Sequence, residues 1–273
     1  MILFPNAKIN LGLDILRRRP DGYHDICTLM VPTTWQDVLE LTPAAETELV
    51  TTGRTVACPP EKNLVMKAFR AMEAHLGRSL PGTRIQLHKI IPDGAGLGGG
   101  SADAAFTLLG LNELWQLGLN TAELERIAAG IGADCPFFIA NTPKLCTGTG
   151  TTLEPISAPD LSRYRVAIVK PPFGISTAEA YAAVHPHEPA EPLRSRLQLP
   201  VEQWQGVVVN DFEDSVVPNH PEIQQIKLQL RAMGAVYSAM SGSGSAVFGI
   251  FPASTANLAD RLAEQFPLCL CHA

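Results

Sequence analysis

Five glycines fall within the seven positions from Gly94 to Gly100, in the run Pro92-Asp-Gly-Ala-Gly-Leu-Gly-Gly-Gly-Ser-Ala-Asp-Ala-Ala. Without Cβ atoms, such a run lets successive backbone N–H groups turn into one concavity. A helix opening at Ser101 adds its positive N-terminal end, and the pair suits phosphate oxygens. Gly94-x-Gly96-x-x-Gly99 satisfies the dinucleotide pattern literally. A Rossmann site, however, needs a second strand ending in an acid about 20 residues on, and here Glu113 falls inside a helical pattern. No Lys-Ser or Lys-Thr follows the glycines, so a Walker loop fails, and the protein-kinase motifs are missing as well. The bland alternative is a tight strand-to-helix turn, which needs fewer glycines. A second cluster, Met240-Ser-Gly-Ser-Gly-Ser, reads alone as a hairpin loop and in combination as a second wall of a phosphate cleft.

Two charged residues stand out for acid–base work. Asp134 lies in Ile131-Gly-Ala-Asp-Cys-Pro-Phe-Phe, an apolar setting in which a carboxylate needs an opposing cation to stay ionised. The alternative for it is a helix N-cap ahead of Pro136. Lys8 shares a strand face with Asn10, Gly12 and Asp14, where a snorkelling edge-strand lysine is the competing role. His185-Pro-His187 imitates a metal pair but has no third ligand. The six cysteines, at 27, 58, 135, 146, 269 and 271, include no CxxC pair, which excludes zinc ribbons and thioredoxin-like chemistry and points to reduced thiols. Metal ligands stay unassigned.

The elements that must position these residues follow from periodicity. Ala7 to Ile15 alternates as a strand with Ile9, Leu11, Leu13 and Ile15 on one face. Arg17 to Gly22 is a turn. Asp37–Leu41, Glu48–Val50 and Ile85–Ile91 read as strands. Leu64–Leu76 reads as an amphipathic helix stopped by Gly77, Ser101–Leu117 as the helix after the glycine loop, and Thr121–Ile131 as a helix capped by Thr121. Thr147 to Thr152 is a turn-rich break, and strand character resumes at Arg165–Val169. Four prolines between His185 and Pro200 predict an exposed excursion. Ile223–Met233 and Ala256–Gln265 read as helices, Ala235–Met240 and Ala246–Phe251 as strands. Strands and helices interleave without a strict parallel rhythm, which predicts an α+β fold, with domains at 1–158 and 159–273.

Composition sets the outer limits. The chain has 273 residues, 46% hydrophobic and 18% charged, enough apolar content to bury full cores and exclude disorder. A net charge of −6 supplies no basic footprint for nucleic acid or anionic lipid. The opening Met-Ile-Leu-Phe-Pro-Asn lacks the basic start and long apolar stretch of a secretory signal, and no run reaches a membrane span. The expected protein is a soluble, cytoplasmic enzyme or binding protein, monomeric or weakly homodimeric.

Three segments together resemble the motifs of the GHMP small-molecule kinases: Ala7-Lys-Ile-Asn-Leu, Gly96-Leu-Gly-Gly-Gly-Ser-Ala-Asp-Ala-Ala and Ser241-Gly-Ser-Gly. Arg19-Pro-Asp-Gly-Tyr-His, Gly132-Ala-Asp-Cys-Pro-Phe-Phe and Asn210-Asp-Phe-Glu are similar to the branch whose acceptor is a cytidylyl sugar-alcohol diphosphate of the non-mevalonate isoprenoid route. Pro5-Asn-Ala-Lys departs from the family's Pro-Ala-Lys, and Tyr181 stands where the family carries an aromatic. The resemblance implies a ribosomal-protein-S5-domain-2-like N-terminal domain and a ferredoxin-like C-terminal domain, with ATP and acceptor meeting in the cleft between them. It implies Asp134 as general base and Lys8 as its cationic partner. It implies ATP held by Pro92, Asp93, Gly94, Ala95, Gly96, Leu97, Gly98, Gly99, Gly100, Ser101 and Ala102, with Lys89, Asn63, Leu64 and Val65 on the adenosine side and Mg²⁺ screening the phosphates. Asn10, Tyr23, His24, Thr177 and Tyr181 would hold the acceptor. The rivals are a GHMP kinase for another alcohol and a nucleotide-binding regulator without catalysis.

Overall fold

After a two-residue strand, β1 (Ile2–Leu3), the chain runs through two long strands, β2 (Asn6–Arg18) and β3 (His24–Gln36). The computed structural model describes residues 1–56, 58–157 and 159–273. The chain divides into two units: Met1–Lys8, Pro32–Asp93 and Gly98–Thr142 form one, and Ile9–Val31, Gly94–Leu97 and Pro143–Ala273 the other. The boundary expected at Ala158 lies outside the described residues. β2 is buried on both faces from Asn6 to Ile15. Alternation therefore marks only its apolar side; Lys8, Asn10 and Asp14 on the other side are buried as well, so β2 is no solvated edge.

In the first unit, β4 (Val38–Pro43), β5 (Glu48–Gly53) and β6 (Thr83–Lys89) join β1 in a sheet ordered β1-β4-β6-β5. β5 runs parallel to β6 and the other pairs are antiparallel. α1 (Leu64–Leu76) has the limits its sequence predicts: the Asn63 side chain accepts from the Val65 N–H, and Gly77 at φ +64° ends the helix. Its buried face is Val65, Ala68, Phe69 and Met72, the i, i+3, i+4, i+7 stripe of an amphipathic helix. α2 spans Gly99–Leu114 rather than Ser101–Leu117. It starts within the glycines because Gly98, at φ +71°, takes the N-cap position, and it ends before Gln116, which turns to φ +50°. At Gly110 a Cβ would run into the Leu41 and Leu3 side chains, so glycine there lets α2 lie close to the sheet. α3 (Thr121–Ala129) is capped by Asn120 in a reciprocal capping box with Glu123, not by Thr121. α4 (Cys135–Ala140) is a short buried helix that starts where the capping alternative for Asp134 would place one.

In the second unit, β7 (Lys144–Thr147) and β8 (Thr152–Pro155) form a hairpin across the expected turn-rich break. They extend β2 and β3 into a sheet ordered β2-β3-β7-β8. β9 (Tyr164–Lys170) is followed by the short helices α5 (Thr177–Ala182), α6 (Leu193–Arg196) and α7 (Phe212–Val216). α8 (Pro221–Ala232), β10 (Tyr237–Met240), β11 (Val247–Pro252), α9 (Leu258–Gln265) and β12 (Leu270–His272) complete it. The sheet β10-β11-β9-β12 is antiparallel throughout, and its core includes Val169, Ile223, Ile226, Leu230, Val247 and Leu262. The expected exposed excursion at 185–200 is corrected in part. Leu193, Arg196 and Leu197 are buried, because Arg196 pairs with buried Asp14 and donates to the carbonyls of Glu191 and Val207 at 3.0 Å each. No helix among the described residues is long and apolar enough to cross a membrane.

Candidate active site

β2 carries Lys8 into the interior, and the turn before α4 presents Asp134. Lys8 Nζ lies 3.5 Å from Asp134 Oδ2, with the lysine side chain 4% exposed and the carboxylate side chain 30%. Asp134 occupies the N-cap position of α4 yet makes no side-chain cap hydrogen bond. Its carboxylate faces a cation instead of an orphan N–H, which disposes of the capping alternative. Lys8 likewise snorkels nowhere; its stem is buried. Residues 126 positions apart in sequence thus form an ion pair open on the carboxylate side.

The glycine loop has an alternating construction. Gly94, Gly96 and Gly98 have φ of +60°, +73° and +71°, while Ala95 and Leu97 between them are buried. Two apolar anchors hold the loop down, and three left-handed residues turn its backbone. Gly96 comes so close to the Ser241 carbonyl that a Cβ would collide with it, and Ser241 Oγ donates to the Gly96 carbonyl at 2.9 Å. The Ala246 N–H donates to the Ala95 carbonyl at 3.1 Å. The second glycine cluster is therefore packed on the first. Asn210 holds it in place by donating from Nδ2 to the carbonyls of Met240 and Gly242 at 2.8 and 2.9 Å. A Cβ on Gly98 would stand 3.0 and 3.1 Å from ring carbons of Phe138 and 3.2 Å from Lys8 Cε. Gly94 has open space around it. α2 then offers the free N–H groups of a 16-residue helix with no acid in its first turn, a donor set that suits a polyphosphate.

Beside the start of α2 lies a pocket of about 280 Å³ whose lining includes Asn63, Leu64, Lys89, Asp93, Gly100 and Asp103. Three of the four residues expected on the adenosine side line it. Val65 does not; it is fully buried in the α1 face. Lys89 is not free for a phosphate, since its ammonium donates to Asp37 Oδ2 at 2.6 Å and Asp103 Oδ2 at 2.7 Å. Burial alone would lower the lysine, but the two carboxylates outweigh it and hold its pKa above the ordinary value.

The expected acceptor-binding residues come from β2, the turn before β3, β3 itself and α5. The His24 ring stacks on Tyr181 with centroids 4.8 Å apart and 18° between planes, and Tyr181 meets Phe212 edge-on at 4.8 Å. Tyr23 is 67% exposed, its N–H donating to Asp21 Oδ1 at 3.0 Å. Asn10 Nδ2 donates to Thr28 Oγ1 at 3.0 Å. Thr177 opens α5, which Ser176 caps by accepting from the Glu179 N–H. Among the described residues no cluster of three His, Cys, Asp or Glu could hold a metal. Asp37, Asp103 and Asn210 are the site-forming residues that sequence reasoning passes over, although Asp103 and Asn210 both sit inside quoted motifs.

Residues 63–142 match the GHMP kinases N-terminal domain, and residues 196–268 match the GHMP kinases C-terminal domain. A 4-diphosphocytidyl-2-C-methyl-D-erythritol kinase of Parabacteroides distasonis is 51% identical, covering 93% of each chain. One of Bacteroides thetaiotaomicron is 47% identical over 92% of each. The crystal structure of a 4-(cytidine 5'-diphospho)-2C-methyl-D-erythritol kinase superposes with a TM-score of 0.83 at 33% identity, covering all of this chain and 97% of that one. A mevalonate kinase of Methanococcus jannaschii reaches 0.72 at 12% identity, a likeness of fold. The architecture is that of a two-domain α+β small-molecule kinase. Within the GHMP kinases, the chain belongs to the 4-diphosphocytidyl-2-C-methyl-D-erythritol kinase family.

Proposed function

We propose that this enzyme transfers the γ-phosphoryl group of ATP to the 2-hydroxyl of 4-diphosphocytidyl-2-C-methyl-D-erythritol, a step of the non-mevalonate isoprenoid precursor route. The observation that carries the reading is the buried Lys8 ammonium 3.5 Å from the part-exposed Asp134 carboxylate; the relatives' substrate supplies the acceptor. Phosphorylating an alcohol needs a hydroxyl relieved of its proton, an aligned γ-phosphate and compensation for developing charge. Asp134 accepts the hydroxyl proton. The oxygen bonds to the γ-phosphorus, the bond from phosphorus to the bridging oxygen breaks, and ADP leaves with that electron pair. Lys8 pairs with the Asp134 carboxylate before the reaction and stabilises negative charge on the acceptor oxygen during it.

The loop from Pro92 to Ala102 holds the phosphates through backbone N–H groups, and the α2 N-terminus adds its dipole. Asn63 and Leu64 line the nucleoside side. Tyr23 and Tyr181 offer flat faces to cytosine and His24, or its backbone, meets the polar edge, with Asn10 and Thr177 as further polar contacts. Mg²⁺ fits this donor set as an ion carried on the phosphates, since it keeps several waters and needs few protein ligands. The Ser101 hydroxyl, at the start of α2, would be its contact, and the ion would screen phosphate charge.

The test is ADP release from Mg·ATP with the cytidylyl substrate beside mevalonate, homoserine and galactose. Turnover confined to the first supports the assignment. Turnover on another alcohol leaves the Lys8–Asp134 pair in place and removes the cytosine pocket. ATP binding without turnover on any of the four would favour a non-catalytic nucleotide binder.

A further inference from the structure

The Asp37–Lys89–Asp103 cluster has no part in the chemistry above, and its hydrogen bonding is incomplete. All three residues are at most 2% exposed. Asp37, between β3 and β4, is saturated: Oδ2 accepts from Lys89, and Oδ1 accepts from the N–H groups of Ile90 and Ile91 at 2.5 and 2.8 Å. Asp103, in the first turns of α2, accepts from Lys89 through Oδ2 at 2.7 Å. Its Oδ1 has no partner, alone among the buried side-chain nitrogen and oxygen atoms of the described residues. Two carboxylates share one ammonium. Burial pushes the Asp103 carboxyl above its ordinary range, Lys89 offsets part of that, and the neighbouring Asp37 charge adds to it. Ionised or neutral, Oδ1 is a buried polar atom without a bond, an unfavourable state for either form. Asp103 also lines the 280 Å³ pocket with Asn63, Leu64 and Gly100, so a small turn of its side chain toward a ligand there would give Oδ1 the partner it lacks.

We infer that Asp103 is the specificity-determining residue of this pocket, its Oδ1 bonding a hydroxyl or amino group of the nucleoside. The inference rests on the reading of the pocket as the nucleoside end of the ATP site. Lys89 is then a positioning residue, pinned by Asp37 so that it orients Asp103, rather than a ligand of phosphate. A site built to bond an N–H or O–H rejects an analogue lacking it more strongly than an apolar wall does, because the protein's own polar atom is left unpaired. The bonding group comes either from the ribose or from the base. A ribose hydroxyl both donates and accepts; an exocyclic amine only donates.

Equilibrium binding of ATP, 2′-deoxyATP, 3′-deoxyATP and inosine triphosphate separates these sources. Wild type should lose about tenfold or more in affinity for one of the three analogues, the ribose or the base arm naming the source. Asp103→Ala should bind ATP about tenfold more weakly and lose nothing further for that analogue. Asp103→Asn keeps its carbonyl toward Lys89 and presents an amide N–H at the Oδ1 position. It should retain ATP when the partner is a ribose hydroxyl and lose it when the partner is an amine, so it tests the inference even where the alanine variant fails to fold. Equal affinity of wild type for all four nucleotides overturns the inference, as does undiminished discrimination in a folded Asp103 variant. Wild-type protein that binds no nucleotide refutes the ATP reading itself and the inference with it.

Discussion

Gly98 and Gly94 form a matched pair for testing how the glycine loop supports the Lys8–Asp134 ion pair. Both have left-handed backbones, φ +71° and +60°, so alanine at either costs about 1–2 kcal/mol in conformational strain. A methyl added at Gly94 would have nothing within 4 Å of it, and the cost of Gly94→Ala ends there. At Gly98 the methyl stands 3.0–3.2 Å from Phe138 and from Lys8 Cε. Both neighbours are buried, so neither has room to give, and overpacking adds about 1–3 kcal/mol. Gly98→Ala should therefore unfold in urea with about 1–3 kcal/mol less stability than Gly94→Ala. It should also displace the Lys8 ammonium from Asp134, lowering kcat at least tenfold, a barrier increase of about 1.4 kcal/mol. Gly94→Ala should act mainly on the KM for ATP. Equal unfolding energies and equal kcat in the two variants would refute the packing argument and detach Gly98 from Lys8.

Asp134→Asn removes the proposed proton acceptor and should lower kcat by at least about 10²-fold, the scale of general-base loss, with ATP affinity little changed; near-wild-type turnover would remove Asp134 from the chemistry. Asn210→Ala strips two carbonyls of the 240–242 segment of their donor and the Phe212 N–H of its acceptor. It should cost roughly 2–4 kcal/mol, since one buried bond is worth about 1 and each orphaned group more, and a melting temperature unchanged within error would contradict that. Asp103 also makes stability depend on pH. Its pKa is raised on folding, so the native state takes up a proton. Its contribution is therefore fullest below the unfolded value near 3.8 and declines as pH climbs toward the raised one. The slope is at most about 1.4 kcal/mol per pH unit. Asp103→Asn should flatten that slope in urea titrations between about pH 5 and 8, and an unchanged slope would place the titration elsewhere.

What the sequence made legible depended on the range of each interaction. The limits of α1 follow from Asn63 and Gly77, whose side chain and dihedral act within one turn. The start of α2 is obscured because a glycine-rich run has no apolar period to mark the onset. β3 escapes the pattern because its burial does not alternate: Asp25 and Ile26, then Thr28, Leu29 and Met30, are buried in succession. Arg196 looks like a loop residue because its partner, Asp14, lies 182 positions away. The Lys8–Asp134 pair is legible only through motif resemblance, as no local spacing links strand to turn. The Asp37–Lys89–Asp103 cluster has no such help. Its members are 52 and 14 positions apart, and nothing in a lone Asp announces that one of its oxygens will be left unbonded.

The distribution of the chain between the two units has a consequence for how such a protein can be divided or inherited. The backbone passes from one unit to the other after residues 8, 31, 93, 97 and 142. A fragment covering 143–273 would lack Ile9–Val31, which supplies most of β2 and β3 to its sheet, and Gly94–Leu97, on which its own glycine cluster packs. No single scission yields two self-sufficient pieces, so neither unit can travel as a cassette into another gene. Nicked or truncated chains should become substrates for proteolysis as a whole rather than leaving a resistant half.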